Sequence, residues 1–203
     1  FVHWAPSDSR KLLDPAAWTT KTIHLESDVS GWMYAFAMQI DEKAGIDIVA
    51  ASKGKNAVLG WFESPENPRD MSSWRWHPLL SGKWFMTLRP NDIDKDGDLD
   101  IVATDRRGAR RGALWMENPG AAHATLLDWQ EHRTGPVGEH EAMHNTVADL
   151  DGDGLEDVLV AVKGGPIRYH RRLCQSPLKW ETHTIEMPSN SGGGKAVQVA
   201  DID

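Results

Sequence analysis

Two short acidic segments carry the residues with the clearest chemistry. Their carboxylates recur at nearly every second position around a central glycine, in Asp92-Ile-Asp-Lys-Asp-Gly-Asp-Leu-Asp100 and Asp149-Leu-Asp-Gly-Asp-Gly-Leu-Glu-Asp157. Like charges packed this densely repel one another unless a cation lies among them. Because Ca²⁺ accepts about 6–8 oxygen ligands at flexible angles, the spacing predicts one calcium site in each loop.

The predicted ligands are the side chains at the acidic positions and the main-chain carbonyl at position 7. They are Asp92, Asp94, Asp96, Asp98 and Asp100 in one loop, Asp149, Asp151, Asp153, Leu155 and Asp157 in the other, and Asp201 and Asp203 in a third, truncated loop. An EF-hand needs a glutamate at position 12, which is Ala103 or Val160 here. Short β-branched runs follow both loops, so we expect strands on either side of the ion.

An earlier segment, Asp41-Glu-Lys-Ala-Gly-Ile-Asp47, departs from this pattern. When its first aspartate is aligned with Asp92, the loop is two residues short and lacks the middle carboxylates. We therefore expect no metal in this first loop.

A second group of reactive side chains precedes Asp149. Glu139, His140, Glu141 and His144 fall within six residues. They could hold zinc or another divalent metal, or supply an acid and a base for proton abstraction beside a sugar carbonyl. The stretch has no helical period, so a polar loop whose histidines cap backbone groups is the favoured interpretation. Candidate ligand-binding residues before the strands are Trp32, Trp84, His140, His144 and Lys195.

The loops belong to a repeat that must position these residues. The aspartates Asp41, Asp92, Asp149 and Asp201 lie 51, 57 and 52 residues apart, and Asp47, Asp100 and Asp157 each head a strand-like run. Four strand-like segments occupy each unit, at about 84–91, 99–105, 112–118 and 128–134 in the second full unit. Four short strands at this period predict an all-β fold, a β-propeller of four-stranded blades of about 51–57 residues.

Two sets of aromatic residues recur with the same period, and we call each set of equivalent positions a column. They are Trp4, Trp61, Trp115 and Tyr169, and then Trp18, Trp74, Trp129 and Trp180, with Lys21, His77, His132 and His183 three residues later. We interpret the column tryptophans as packing between adjacent blades. The column histidines are predicted to be structural and bonded between blades.

The repeat divides the chain into a single propeller segment. The predicted units are the end of a blade at 1–30, blades at 31–81, 82–136 and 137–188, and the start of another at 189–203. This covers roughly four blades, and we expect it to belong to a seven- or eight-bladed propeller. Open ends would expose strand edges and favour self-association.

The charge and composition of the chain limit the classes of partner that we expect it to bind. The formal net charge is −8, and we see no basic stripe in the sequence, which argues against nucleic acid. Arg106, Arg107, Arg110 and Arg111 are interpreted as a solvated loop. No apolar run is long enough to span a membrane, and Cys174 is the single cysteine. Because weak calcium loops need millimolar metal, an extracellular or periplasmic location is expected.

These motifs resemble those of the FG-GAP/VCBS-type repeat proteins, whose blades carry Asp-x-Asp-x-Asp-Gly-x-x-Asp calcium loops. The matching stretches are Asp92 to Val102 and Asp149 to Leu159. The resemblance implies a calcium-binding propeller and leaves the function open. Gly138 to Val162 and Trp115 to Gly120 are also similar to the propeller of aldos-2-ulose dehydratases, which would imply a metal-dependent sugar dehydratase with His140 and His144 near the reacting centre.

Three functions remain open. The first is a calcium-stabilised module that binds carbohydrate or a protein partner at the loops before the strands. The second is a carbon–oxygen lyase or dehydratase acting on sugars, with His140, Glu141 and His144 as its catalytic residues. The third is a purely structural repeat in a larger assembly. We favour the binding module over the enzyme.

Overall fold

The computed structural model describes residues 1–23, 25, 29, 31–43 and 45–202, so the predicted ligand Asp203 lies outside the described part. Strands make up 46% of the chain and helix 3%, which confirms the all-β prediction. The strands are β1 (Val2–Trp4), β2 (Thr19–Lys21), β3 (Trp32–Met38), β4 (Asp47–Glu63), β5 (Arg75–Asn91), β6 (Asp100–Asp105), β7 (Gly112–Glu117), β8 (Gln130–Arg133), β9 (Ala142–Ala148), β10 (Asp157–Val162), β11 (Ile167–Cys174) and β12 (Lys179–Ile185).

Neighbouring strands pair antiparallel in three sheets. β1 pairs with β2, strands β3 to β8 form a six-stranded sheet in chain order, and β9 to β12 form a four-stranded sheet in chain order. Up-and-down order with short connections is the arrangement of propeller blades. Two short 3₁₀ turns, Ser9–Lys11 and Pro15–Ala17, lie between β1 and β2. None of the helices in the described ranges is long and apolar enough to cross a membrane.

The 17-residue strand β4 doubles back on itself. A straight strand would place Asp47 and Ser64 more than about 50 Å apart, yet Oδ1 of Asp47 accepts a hydrogen bond of 2.9 Å from the Ser64 N–H. The reversal lies near Gly54, whose φ of 112° suits a residue without Cβ. Within the turn, Ser52 Oγ accepts from the Val58 N–H at 2.9 Å. The element therefore supplies two strand segments of one repeat.

Strand β5 also serves twice, because its two halves have different partners. Residues 75–84 pair with β4 and residues 85–91 pair with β6. The strand thus crosses from the last segment of one repeat into the first segment of the next without a loop. With β4 and β5 divided in this way, each unit holds four successive antiparallel segments.

The core lies between successive repeats. Trp61, Phe85, Ile101, Leu114 and Met116 are fully buried in one cluster that joins β4 to the next unit. A second cluster joins Ala113 and Val137 to the inner face of β10. The indole rings of Trp61 and Trp115 are buried as predicted, with ring-to-ring distances of 4.5 Å to His77 and 4.3 Å to His132.

The histidine column pairs differently from the prediction. His77 lies opposite Trp61 in the β4–β5 ladder and contacts Glu63 at 2.9 Å. His132 lies opposite Trp115 and contacts Glu117 at 2.6 Å. These histidines therefore bond within a blade, not between blades, because the column places them directly across the ladder from an aromatic ring of the same unit.

Candidate functional site

Each acidic loop is fastened by the aspartate that closes it. One carboxylate oxygen accepts the N–H seven residues earlier, and the other accepts an N–H at the end of the following strand segment. The pairs are Asp47 with Ile40 and Ser64, Asp100 with Ile93 and Asn118, and Asp157 with Leu150 and Arg172, all between 2.8 and 3.2 Å. Burial raises the pKa of Asp100 to about 7 against these hydrogen bonds.

This recurring seven-residue bond corrects the register of the first loop. Ile40 is equivalent to Ile93, so Asp41 corresponds to Asp94, not to Asp92 as the sequence comparison assumed. The loop therefore has full length and begins at Gln39. The comparison was wrong because the acidic residue at position 1 is replaced by an amide, which left Asp41 as the first visible carboxylate.

The loop from Asp92 to Asp100 brings three carboxylates together. Asp92, Asp94 and Asp100 each offer an oxygen within 4.8 Å of the others. Oδ1 of Asp92 is buried without a hydrogen-bond partner, and burial together with the charge of Asp96 raises the pKa of Asp94. The turn itself depends on Gly97, which has a φ of 100°. A buried carboxylate oxygen facing two further carboxylates fits a divalent cation with hard oxygen ligands.

In the loop from Asp149 to Asp157, the converging set is Asp149, Asp151 and Asp153. Both oxygens of Asp149 accept main-chain hydrogen bonds, from Gly152 at 2.8 Å and Gly154 at 2.9 Å. Arg171 forms an ion pair with Asp151, and its Nη2 lies 4.0 Å from Asp153. An arginine thus forms an ion pair with this carboxylate group. Beside the loop from Asp92 to Asp100, the buried Arg172 donates instead to the Ile93 carbonyl and interacts electrostatically with Asp94 and Asp100.

The remaining predicted ligands have other surroundings. Asp96, Asp98 and Leu155 lie in the turns, where Asp96 and Asp153 accept the N–H of the residue two positions later. Asp157 accepts from Tyr169 as well as from the main chain and is not in the converging set of its loop. Asp201 is exposed. The prediction of Ca²⁺ at these residues therefore has its best geometric match at Asp92, Asp94 and Asp100.

At the opposite ends of the strands, three equivalent residues meet, which we call the Tyr–Thr–His cluster. Tyr34, Thr87 and His144 each lie five residues before position 1 of an acidic loop. The His144 Nε2 is 3.5 Å from Tyr34 Oη, and its Nδ1 is 3.4 Å from Thr87 Oγ1. Counting back five residues from Asp41, the first acidic residue of the first loop, would reach Phe36 instead of Tyr34. Phe36 packs against the core.

Burial sets the protonation of this cluster. Desolvation, aided by the nearby charge of Arg89, lowers the pKa of His144. Desolvation raises the pKa of Tyr34. Near neutral pH the imidazole is therefore uncharged and able to accept a proton, and the phenol keeps its proton.

The other residues of the segment from Glu139 to His144 do not join this cluster. The His140 ring lies against Gly165, where a Cβ would come within 2.8 Å of Nε2. Glu141 binds Arg106 at 2.9 Å and Arg107 at 2.7 Å, and both arginines lower its pKa. Within the described ranges, no group of three or more convergent metal-binding side chains includes these residues. His144 lies in the Tyr–Thr–His cluster and His140 against Gly165, so the two imidazoles have different neighbours.

Lys195 and the two predicted tryptophans lie at the same end of the strands. The Lys195 carbonyl accepts the His144 N–H at 3.1 Å, and its side chain is exposed. Trp32 is 41% exposed and packs against Phe62 and Trp76. The Trp84 ring, in contrast, is approached by Lys53, Arg106 and Arg107 at 4.9, 4.5 and 4.7 Å.

One feature of this end was missed from the sequence. The segments that follow the aspartate-headed strands are basic, with Lys53 and Lys55 after the first, Arg106 and Arg107 after the second, and Lys163 after the third. Each strand therefore runs from an acidic loop to a basic one. The signal was visible as a Lys or Arg six residues beyond each closing aspartate, at Lys53, Arg106 and Lys163, but it is spread over separate repeats.

The comparison with known families agrees with this arrangement of loops. No curated protein sequence matches the chain. Residues 92–160 match the family described as FG-GAP-like repeat, a segment that includes both convergent carboxylate groups, strands β6 to β9 and the first part of β10. The match covers residues 92–160 of the 203-residue chain, parts of two successive repeats, and supports the likeness of this part to FG-GAP-like repeats.

Proposed function

We propose that the chain is a calcium-stabilised β-propeller module that binds carbohydrate or a protein partner at the end of the strands that carries the Tyr–Thr–His cluster. The convergence of Tyr34, Thr87 and His144 from three equivalent strands is the observation that supports a ligand face there. The scaffold repeats while these side chains differ, which is typical of a specialised site on a shared fold. Because FG-GAP repeats are typical of extracellular proteins, we propose an extracellular or periplasmic location.

Calcium would be structural in this proposal. Asp92, Asp94 and Asp100 would hold one ion and Asp149, Asp151 and Asp153 another, at the end away from the ligand face. Bound Ca²⁺ supplies the positive charge that lets these carboxylates stay ionised side by side, and its binding free energy adds to folding stability.

Two measurements test the proposal separately. Calorimetric titration of the calcium-depleted protein with Ca²⁺ should show two binding sites, and addition of a chelator to the calcium-bound protein should lower its melting temperature. An unchanged melting temperature with chelator would refute the structural role of calcium.

The ligand face is tested with an array of neutral and acidic glycans, probed with the parent chain and with His144→Ala. We expect glycan binding that the substitution weakens. Binding indifferent to His144 would place the ligand elsewhere.

A sugar lyase or dehydratase is the second candidate, favoured by the 3.5 Å approach of Tyr34 Oη to His144 Nε2. In such a β-elimination, His144 would take the proton from the carbon next to the sugar carbonyl, electrons would form the new carbon–carbon double bond, and Tyr34 would protonate the departing oxygen. Ultraviolet absorbance of unsaturated uronide products, lost in both Tyr34→Phe and His144→Gln, would support it. Glycan binding without turnover would support the binding module alone. The absence of both glycan binding and turnover would support a purely structural repeat.

A further inference from the structure

A basic groove lies between the first two full repeats. We define it by the cationic residues Lys53, Lys55, Lys83, Arg107 and Arg110. Two adjoining clefts, of about 690 and 680 Å³, share Lys55, Lys83, Arg107 and Gly108 along their walls. Volumes in this range are typical of small-ligand sites. The groove is therefore large enough for part of a ligand to enter, and its polar lining is strongly cationic.

The positive charge of the groove is balanced only in part by nearby carboxylates. Arg107 pairs with Glu141 at 2.7 Å and Arg110 pairs with Glu131. Lys55 and Lys83 have no carboxylate within ion-pair distance in the described ranges, and Lys53 contacts the Trp84 ring. The acidic residue in the lining, Asp105, is buried and accepts main-chain hydrogen bonds from Lys83 and Trp84. Three exposed ammonium groups are thus left facing solvent on a protein whose formal net charge is −8.

Part of the lining of the first cleft is apolar. Trp76, Pro78 and Val58 form it, and Trp76 is held by Phe62 and Trp32 at ring distances of 4.6 and 5.3 Å. A surface of this kind suits the carbon–hydrogen face of a sugar ring, while the cations of the groove suit an anionic substituent. Single-stranded nucleic acid binds on a series of aromatic faces, on which successive bases stack. In the described lining, three cations cover the Trp84 ring, so the partly exposed Trp76 is the one aromatic ring left to contact a ligand.

We infer that the basic groove binds anionic polysaccharide, with the carboxylate or sulfate groups of the sugar rings contacting Lys53, Lys55 and Lys83. The inference rests on the proposed binding function and names its ligand class. It also corrects the expectation from the sequence that no basic face exists. The groove is assembled from the turn that carries Lys53 and Lys55, the middle of strand β5 at Lys83, and the loop that carries Arg107 and Arg110, so its charge is not concentrated in one stretch of the chain.

The test compares two charge-matched double variants. Lys55→Glu with Lys83→Glu reverses the groove, and Lys11→Glu with Lys179→Glu reverses two exposed lysines outside it. Affinity for polygalacturonate, dextran sulfate, neutral dextran and a duplex DNA oligonucleotide is measured at low and high salt. We expect the anionic glycans to bind, salt to weaken them, and the groove variant to weaken them about tenfold or more while the control variant does not. Polygalacturonate binding alone would identify the carboxylate as the recognised group, and dextran sulfate binding alone the sulfate.

Several outcomes would overturn the inference. Equal binding of neutral dextran, equal losses in the two variants, or tighter binding of DNA that depends on Lys55 and Lys83 would each do so. Failure of the anionic glycans while another glycan binds through His144 would refute the groove and leave the proposed module standing. Failure of every glycan, including those on the array, would remove the carbohydrate function as well.

Discussion

The Lys43 ammonium lies 3.0 Å from Oδ2 of the buried Asp41 carboxylate and 2.7 Å from Glu63. In the corrected register, Lys43 stands at position 5, where the second loop has Asp96. An internal side-chain cation thus takes the place in the first loop that a metal ion is proposed to take in the others. Both carboxylates raise the pKa of Lys43, Glu63 more strongly.

We predict that Lys43→Ala destabilises the fold whether or not calcium is present. The substitution leaves the Asp41 carboxylate buried without a charged partner, which costs about 1–3 kcal/mol. Urea unfolding with excess Ca²⁺ and with chelator should give the same deficit, and Lys11→Ala, at an exposed lysine, is the control. A deficit that disappears in calcium would mean that the first loop binds metal after all.

A second prediction concerns the proposed calcium loops. Asp92→Asn and Asp151→Ala should each remove one equivalent of bound Ca²⁺ and reduce the melting shift caused by chelator. A site saturated a hundredfold above its Kd contributes about 2.7 kcal/mol, which corresponds to roughly 5–10 °C for a chain of this size. Asp128→Ala, at an exposed carboxylate outside the loops, should leave the shift intact. Unchanged stoichiometry in Asp92→Asn would contradict the ligand assignment.

The third prediction concerns the fully buried Arg172, whose guanidinium donates to the Ile93 carbonyl in the acidic loop of the preceding repeat. Arg172→Ala leaves that carbonyl unpaired and opens a cavity, so we expect a loss of about 2–4 kcal/mol. Arg172→Met restores much of the volume without burying a charge and should recover part of the loss. Denaturant melts measure both, with Arg10→Ala as an exposed control. A neutral Arg172→Ala would show that the contact between repeats is not a source of stability.

The fourth prediction is a pH dependence from His170. Burial lowers its pKa to about 4, below the value of about 6.5 in an unfolded chain. The unfolded chain therefore binds the extra proton between these pH values, so stability is complete above about pH 6.5 and falls as the pH drops toward 4. The full effect is about 3 kcal/mol.

His170→Asn removes the titrating imidazole but keeps a polar group near Thr182, whose Oγ1 is 3.0 Å from the imidazole Nδ1. The plot of unfolding free energy against pH should therefore be flatter between pH 4 and 6.5 in this variant. His123→Asn, at an exposed histidine, should keep the slope of the parent chain. Equal slopes for His170→Asn and the parent chain would show that folding does not lower the pKa of the His170 imidazole.

The strands could be predicted because their signals are local. A closing aspartate followed by β-branched residues marks β6 and β10, and a tryptophan or tyrosine marks β7 and β11, so four segments per repeat were expected and found. The register of the first loop could not be predicted, since Gln39 hides position 1 and only the hydrogen bond from Ile40 to Asp47 reveals it.

The chemistry at the other end of the strands depends on contacts between repeats. His144 was expected from its acidic and imidazole neighbours, but His140 and Glu141 take different partners, and Tyr34 was not singled out. Lys53, Lys55 and Lys83 each look like an ordinary surface lysine in the sequence. Their combined positive electrostatic potential exists only because these parts of two repeats lie side by side.

The shared strand β5 links the two repeats mechanically. Its first half completes one sheet and its second half opens the next, so peeling it from β4 also withdraws the partner of β6. The two repeats should therefore exchange their amide protons and yield to force as one cooperative unit. The β9–β12 sheet, which joins them through a loop and side-chain contacts, can open on its own.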